Sequence, residues 1–195
     1  MRVFIAVLVL IFSLQSWTKA DDIRDFEIEG MSIGDSLLDF MSENQIKDSL
    51  KSKFAVFYED KFATVSGWDI KDKFTTYDNV GFVIKLNDES YKIFALEGTF
   101  VTQNGNIQDC YKKQNIIAND VQKIIKTKYE RDTWFLEKNR LEKHQLSIKY
   151  LDFISTNNRR PISLVCYDIN ESGDEYTRLT VAIDSVEFDQ FLDTQ

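Results

Sequence analysis

The stretch that decides the fold is Val80–Val101, VGFVIKLNDESYKIFALEGTFV, in which two apolar runs flank the polar turn Asn87–Ser90. In the first run Val80, Phe82 and Ile84 fall on alternate positions, which is the period of a strand with one buried face. β-Branched and aromatic residues dominate the second run, and these residue types favour strands. The stretch therefore predicts a β-hairpin with one strand on each side of the turn.

Secondary structure outside this hairpin is predicted from periodicity and from turn and capping residues. The longest helix is predicted over Asn106–Lys128, where apolar residues recur at helical spacing. Two capping-box spacings, Ser32 with Asp35 and Ser42 with Gln45, predict a pair of short helices near the N-terminus. The other predicted elements are a strand over Asp25–Glu29, a hairpin of Phe54–Glu59 and Phe62–Trp68, a helix around Trp134–Glu142, strands over Gln145–Ile154, Ile162–Ile169 and Tyr176–Val186, and a short helix or frayed tail over Phe188–Gln195.

This order of elements predicts an α+β fold. We expect a largely antiparallel β-sheet, with the N-terminal short helix pair and one long central helix packed on one face. No repeat, low-complexity run or Pro/Gly-rich linker divides the chain, and Pro161 is its only proline. We therefore expect a single globular domain over residues 21–195.

The first twenty residues have the layout of a secretory signal peptide. Arg2 supplies the positive start, Val3–Leu14 the apolar run, and Thr18–Ala20 the small residues at alternate positions before the cut. The apolar run has about a dozen residues, fewer than the roughly 20 that cross a bilayer. We expect a soluble periplasmic or secreted product that begins at Asp21. Because no cysteine lies at the cleavage site, we expect neither a lipid nor another stable membrane anchor.

The charge of the chain argues against two classes of partner. The formal net charge is −8, and loss of Arg2 and Lys19 with the leader leaves −10. Such a surface repels phosphate backbones and anionic headgroups, so we expect no binding to nucleic acid or membrane surfaces. Residues 111–149 nevertheless carry ten basic and five acidic side chains. This excess indicates either a solvated face of the long helix or a basic face that binds a partner. The residues of that predicted basic face are Lys123, Lys126, Lys128, Arg131 and Trp134.

Cys110 and Cys166 are the two cysteines of the chain. In an oxidising compartment an even pair predicts a disulfide, which across a loop of this length contributes roughly 4 kcal/mol. Two buried thiols are the alternative, since free cysteine is among the most buried residue types. The choice depends on the Cα separation.

Gly34-Asp35-Ser36-Leu37 spells the motif of the GDSL esterase and lipase family. This resemblance implies Ser36 as a nucleophile, and it covers four residues. The family's other blocks supply an oxyanion-binding Asn-Asp pair and a histidine base, and neither has a counterpart here. His144 is the only histidine, and the residue three positions before it is Leu141. As a structural alternative, the same letters are typical of a turn followed by a helix cap.

A calcium loop is the only metal site that the sequence indicates. Asp168–Gly173 matches the first six positions of an EF-hand loop, but its twelfth position is Leu179 instead of glutamate. A hairpin turn is the simpler interpretation, since Gly and polar residues favour turns. The candidate calcium ligands are Asp168, Asn170, Asp174 and Glu175. His144 alone forms no zinc site, and no glycine-rich phosphate loop is present, so we expect no cofactor.

The block Ile23–Phe40, IRDFEIEGMSIGDSLLDF, directly after the leader resembles the opening of a family of uncharacterised exported proteins from Gram-negative bacteria. This resemblance implies a location and no activity. A looser similarity links the chain to small periplasmic modules of the outer-membrane assembly lipoprotein type, from which it differs by lacking the lipid-bearing cysteine.

Two classes of function follow from these observations. The preferred one is a non-enzymatic binding or interaction domain, whose partner is an unknown protein or small ligand. The alternative is a hydrolase that uses Ser36 or a pair of carboxylates.

Overall fold

The computed structural model describes residues 26–103, 105–125, 129–140, 144–155, 159–171 and 174–194. Their helices and strands follow one another in an α+β order, as the sequence predicts. In chain order they are β1 (Glu27–Ile28), β2 (Met31–Ser32), a first 3-10 helix (Leu37–Asp39), α1 (Glu43–Leu50), β3 (Phe57–Tyr58), β4 (Phe62–Ser66), a second 3-10 helix (Trp68–Lys73), β5 (Asn79–Lys85), β6 (Ile93–Gln103), α2 (Ile107–Ile125), β7 (Tyr129–Arg140), β8 (His144–Ser155), β9 (Ile162–Glu171), β10 (Asp174–Asp184) and α3 (Val186–Leu192).

Eight strands form one antiparallel sheet in the order β3-β4-β5-β6-β10-β9-β8-β7. The hairpin predicted from Val80–Val101 is confirmed as β5 and β6. The sheet is joined at its centre by β6 and β10, which are far apart in sequence and pair over nine residues from Tyr176 to Asp184. This long-range pair connects the hairpins of the first half of the chain to those of the second half.

The N-terminal segment forms a small hairpin, not the single strand predicted over Asp25–Glu29. Glu29 and Gly30 have φ angles of 54° and 74°, and two successive positive values are typical of a type I′ turn, in which glycine is favoured. The chain therefore returns directly as β2. The Glu29 carboxylate accepts hydrogen bonds from the backbone N–H groups of Thr75, Thr76 and Tyr77 at 2.6–2.9 Å, and these bonds fasten the hairpin to the loop before β5.

The predicted short helix pair is confirmed, with one change in its capping. Ser42 and Gln45 form the complete predicted capping box at the start of α1. The predicted box of Ser32 and Asp35 is wrong, because the first 3-10 helix starts later and its N-cap is Ser36. The Asp35 carboxylate instead accepts a hydrogen bond from the Ser32 N–H at 2.8 Å, which closes a turn.

The long helix α2 packs on one face of the sheet. One side chain in every turn points at the strands; these are Cys110, Gln114, Ala118, Val121 and Ile125. Gln114 is fully buried, and its Nε2 donates to the carbonyl oxygens of Lys149 on β8 and Leu164 on β9 at 3.1 and 2.8 Å. Cys110 is joined to Cys166 on β9 by a disulfide with a Cα separation of 6.0 Å. Of the two alternatives, the structure therefore contains the bonded pair. No helix in the described part of the chain is long and apolar enough to span a membrane.

The helix predicted around Trp134–Glu142 is wrong, because Tyr129–Arg140 form the edge strand β7. β7 pairs with β8 along its whole length. Trp134 stacks on its cross-strand partner Tyr150 with ring centroids 3.7 Å apart, and its Nε1 donates to Asp152 at 2.8 Å. The mixed, charged composition of this segment also suits an edge strand, where charges discourage pairing with other chains. Pairing with the neighbouring strand β8 decided between two locally permitted structures.

Removing the disulfide is expected to destabilise the protein without changing the fold. The closed loop has a sequence separation of 56 residues, so the loss for a Cys110→Ser/Cys166→Ser double variant is about 4 kcal/mol. Urea unfolding with and without a reductant measures this loss. The reductant should lower the stability of the wild type to that of the double variant and leave the variant unchanged. Equal stability of the two proteins under oxidising conditions would contradict the expectation.

Candidate functional site

The face of the sheet turned away from α2, called the open face below, has little helical cover. Among the helices of the described residues, α3 packs on it at the β4–β5–β6 end, where Phe188 and Phe191 join a cluster with Phe62, Val83 and Ala95. The ring of Phe62 lies 5.2 Å from those of Phe188 and Phe191. This cluster covers one end of the sheet.

A cavity of about 560 Å³ lies against the open face beside α3. This volume is within the range of small-molecule sites. Its apolar wall consists mainly of Phe54, Ala55, Val56, Tyr58, Val83, Ala95 and Phe188. Its charged and amide groups are Asn79, Glu97, Arg178 and Asp184. The cavity thus combines an apolar side with a polar floor formed by β5, β6 and β10.

Strand register positions the two carboxylates of the floor. Glu97 on β6 lies opposite Ala182 on β10, and Asp184 is two residues further along the same face. Such diagonal neighbours are about 7–8 Å apart between Cα atoms, within reach of each other's side chains. On the other side Glu97 faces Gly81, and a Cβ atom at Gly81 would lie 2.7 Å from Glu97 Oε1. Glycine at this position therefore leaves the space that the Glu97 carboxylate occupies.

The basic group of the floor, Arg178, is held by an aromatic ring. Its guanidinium carbon lies 4.1 Å from the centroid of Tyr167, its cross-strand partner on β9. Its Nε is buried and has no hydrogen-bond partner among the described residues, and the same is true of Asn79 Oδ1. Two polar atoms at the floor are therefore unsatisfied by the protein.

The two floor carboxylates are held at raised pKa values. Burial, together with the nearby carboxylates of Asp189, Glu97 and Asp152, raises the pKa of Asp184 to about 7. Glu97 is accessible to water from the cavity, but the surrounding protein desolvates its carboxylate and raises its pKa, which Arg178 partly opposes. Burial also raises the pKa of Asp189, whose Oδ1 accepts a hydrogen bond from the Arg160 N–H. Negative charge is therefore crowded into one region of the open face.

Ser36 and His144, the residues that a hydrolase triad would require, are not brought together. Ser36 is bridged to Lys92, next to the start of β6. His144 begins β8, at the end of the sheet where β6 finishes. The 11 residues of β6 separate them by about 35 Å at about 3.3 Å per residue. Ser36 Oγ donates to the Ser90 carbonyl at 2.7 Å and accepts from the Leu38 N–H at 3.3 Å, which is the capping role that the structural alternative predicts.

The predicted basic face does not form one surface within the described residues. Lys123 pairs with Asp120 of its own helix at 2.8 Å, and Arg131 Nη1 donates to Asn119 of α2 at 2.9 Å. Because β7 is a strand, Trp134 points to the opposite side from Arg131 and lies on the open face. Lys126 and Lys128 lie outside the described residues.

The candidate calcium ligands are spread over the β9–β10 hairpin. Asp168 lies within β9, and the register places Asn170 opposite Glu175. The side chains of Asn170, Asp174 and Glu175 lie outside those that the structure describes. Among the described residues no group of three or more His, Cys, Asp or Glu side chains is arranged to hold a metal ion.

The sequence patterns did not indicate Glu97, Arg178 or Asp184 as site residues. A signal was present, since Glu97 is the only charged residue of β6, and Arg178 and Asp184 are the only charged residues of β10 after Glu175. Alternation alone places such residues on a solvated face. Only the pairing of β6 with β10 shows that they share a cavity.

No family model, curated protein or solved structure matches this chain.

An Asp184→Asn variant is expected to be more stable than the wild type at pH 8. The pKa of Asp184 is about 7 in the folded protein against an ordinary value of 3.8, so between these pH values the native state keeps a proton that the unfolded chain loses. The contribution of this group to stability is therefore present at low pH and is lost as the pH rises towards 7. A pKa difference is worth about 1.4 kcal/mol per unit. Because water in the cavity screens the charge, we expect a gain of about 1–2 kcal/mol at pH 8.

Urea unfolding at pH 5 and pH 8 measures this difference. The stability gap between Asp184→Asn and wild type should narrow at pH 5, where Asp184 is protonated in the native state. Glu89→Gln is the matched control, because Glu89 is exposed in the loop before β6. A gap that is the same at both pH values would contradict the assignment.

Proposed function

We propose that this chain is an exported, non-enzymatic binding protein of the periplasm or the cell exterior. It holds a small molecule with an apolar body in the cavity on the open face. The observation that carries the proposal is the cavity itself, with about 560 Å³ of space between an apolar wall and a polar floor. Small-molecule sites combine a mostly apolar lining with a few convergent polar groups in the same way.

The mouth of the cavity supports an apolar ligand. Phe54 and Val56 line it and remain 78% and 49% exposed. Contact with a ligand would remove this apolar surface from water, at about 25 cal/mol per Å². The exposed apolar surface of Phe54 and Val56 therefore favours binding of an apolar body over binding of a fully polar molecule.

The chemistry of the lining favours binding over catalysis. Its three serines, Ser49, Ser52 and Ser66, each accept a hydrogen bond from a backbone N–H group. Glu97 and Asp184 both project from the floor, on the same side of any bound molecule. Hydrolysis of a glycosidic bond by two carboxylates instead needs one on each side of the bond that breaks. A ligand in this cavity meets binding groups from one direction.

Export is supported by two independent features. The first twenty residues combine a positive start, an apolar run and small residues before Asp21, in the order of a cleaved leader. The disulfide between Cys110 and Cys166 is of the kind that persists in oxidising compartments outside the cytosol.

The site of the cut gives the test of export. Expression of the full chain in a Gram-negative host should yield a periplasmic or secreted product whose N-terminal residue, measured by mass spectrometry, is Asp21. A variant that lacks residues 2–20 should remain in the cytosol with Cys110 and Cys166 reduced. A full-length product that begins at Met1 and stays in the cytosol would contradict export.

A Phe54→Ser variant is expected to bind an apolar molecule about five- to tenfold more weakly. Covering an exposed aromatic side chain contributes on the order of 1 kcal/mol, and the variant loses that contribution. The measurement is the fluorescence of N-phenyl-1-naphthylamine, an uncharged apolar probe that brightens out of water. Because Phe54 is 78% exposed, its loss should leave the urea midpoint nearly unchanged.

Phe57→Ser is the matched control for this experiment. Phe57 is 52% exposed and lies three residues away, but it does not line the cavity. It should bind the probe as the wild type does. Equal weakening by both variants would indicate general surface adsorption, and no probe binding by the wild type would refute an apolar site.

A further inference from the structure

We infer that the cavity selects a cationic amphiphile: a molecule with an apolar tail and an ammonium or amidinium head, the head lying against Glu97 and Asp184. This inference rests on the proposed binding function and names the class of ligand.

The single cation of the floor is already engaged. Arg178 stacks on Tyr167 with its guanidinium carbon 4.1 Å from the ring centroid. Burial raises the pKa of Glu97, and the charge of Arg178 lowers it. One positive side chain therefore faces two acids, and the acid it acts on is Glu97.

Asp184 is left without a positive neighbour. Among the described residues neither a hydrogen bond nor an ion pair reaches its side chain. The charged groups that act on it most strongly are the carboxylates of Asp189, Glu97 and Asp152. The nearby Arg160 is bound to those same acids, with its Nε 3.7 Å from Asp152 Oδ2 and its backbone N–H donating to Asp189. A cation beside Asp184 would meet attraction from several carboxylates at once.

The apolar wall fixes the direction of the tail. Tyr58 carries a ring at the wall. Burial raises the pKa of its hydroxyl, and Glu97 and Asp184 are close enough to raise it further. Phe54 and Val56, further along the same segment, are exposed. A head at the carboxylates would therefore place its tail along Tyr58 towards these two side chains. Aromatic faces also attract ammonium groups, so Tyr58 fits both the head and the start of the tail.

A fatty acid is the opposing possibility, because Arg178 offers a partner for a carboxylate. Such a ligand would bring a third negative charge close to Glu97 and Asp184. Like charges a few ångströms apart inside a protein repel strongly. The floor therefore favours the ammonium head over the carboxylate head.

Three ten-carbon compounds that differ only in the head group test this inference. Decylamine, decanol and decanoate compete against N-phenyl-1-naphthylamine at pH 8, where the amine is protonated and the pH lies above the Asp184 pKa of about 7. We expect decylamine to displace the probe at least tenfold more tightly than decanol, because a charged hydrogen bond is worth about 1.5–3 kcal/mol. Decanoate should be the weakest of the three.

Variants of the floor separate charge recognition from apolar binding. Asp184→Asn and Glu97→Gln should each reduce the preference for decylamine over decanol at least fivefold and leave the affinity for decanol within about twofold. Glu187→Gln is the control: Glu187 is a neighbouring acid that pairs with Lys85 at 2.9 Å and does not line the cavity. It should keep the full preference.

The outcomes distinguish this inference from the proposed function. Equal displacement by decylamine and decanol, tighter displacement by decanoate, or a preference that survives in both floor variants would overturn the cationic head and keep an apolar binding site. Failure of the probe to bind, together with failure of all three compounds in calorimetry, would overturn the binding function itself.

Discussion

The attachment of α2 to β8 and β9 is the constraint on which the rest of the structure depends. The disulfide between Cys110 and Cys166 fixes the first turn of the helix to β9. One turn later Gln114, fully buried, donates to carbonyl oxygens of both strands. A buried amide that spans two strands sets both the height and the rotation of the helix, because a shift would leave a buried donor unsatisfied. The long helix is thereby held against one face of the sheet. Among the described residues no long helix covers the second face of the eight strands.

Two segments of the chain partly cover the open face. Aromatic residues of α3 close one end, and the segment around Phe54 and Tyr58 forms the wall beside it. Neither element extends across the whole sheet, so a cavity remains between them. Its floor holds carboxylates whose pKa values are raised by burial, and ionised groups in such places cost stability at neutral pH. Apolar side chains would fill the same space at lower cost, and the proposed binding of a ligand would account for the polar floor.

Local patterns predicted the fold well where the partner of a segment is its neighbour in sequence. The hairpin of β5 and β6, the capping box at Ser42 and the long helix α2 all follow from residues close together in the chain. β7 is an exception, because its partner β8 follows it directly in the chain, yet its mixed, charged residues show no alternation that would indicate a strand. The stacking of Trp134 on Tyr150 of the adjacent strand became visible only in the structure. The site lies beyond local reasoning for a different reason. Glu97 and Asp184 are 87 positions apart in sequence, and only the central pairing of β6 with β10 brings them to one cavity.

For the proposed ligand, the polarity of the cavity determines which end enters first, the charged end or the apolar end. Acidic groups lie on the sheet at the floor, and the most exposed apolar side chain, Phe54, lies at the outer wall. A molecule with one charged end and one apolar end therefore gains most when its charged end goes in first. That order differs from an ordinary apolar pocket, in which the polar end stays in water. In the proposed complex, desolvation of the head is offset by carboxylates that paired strands already hold in place, so they need little rearrangement when a cation arrives. The same partly desolvated acids that lower the stability of the empty fold would thus provide a prepared site for a positive charge.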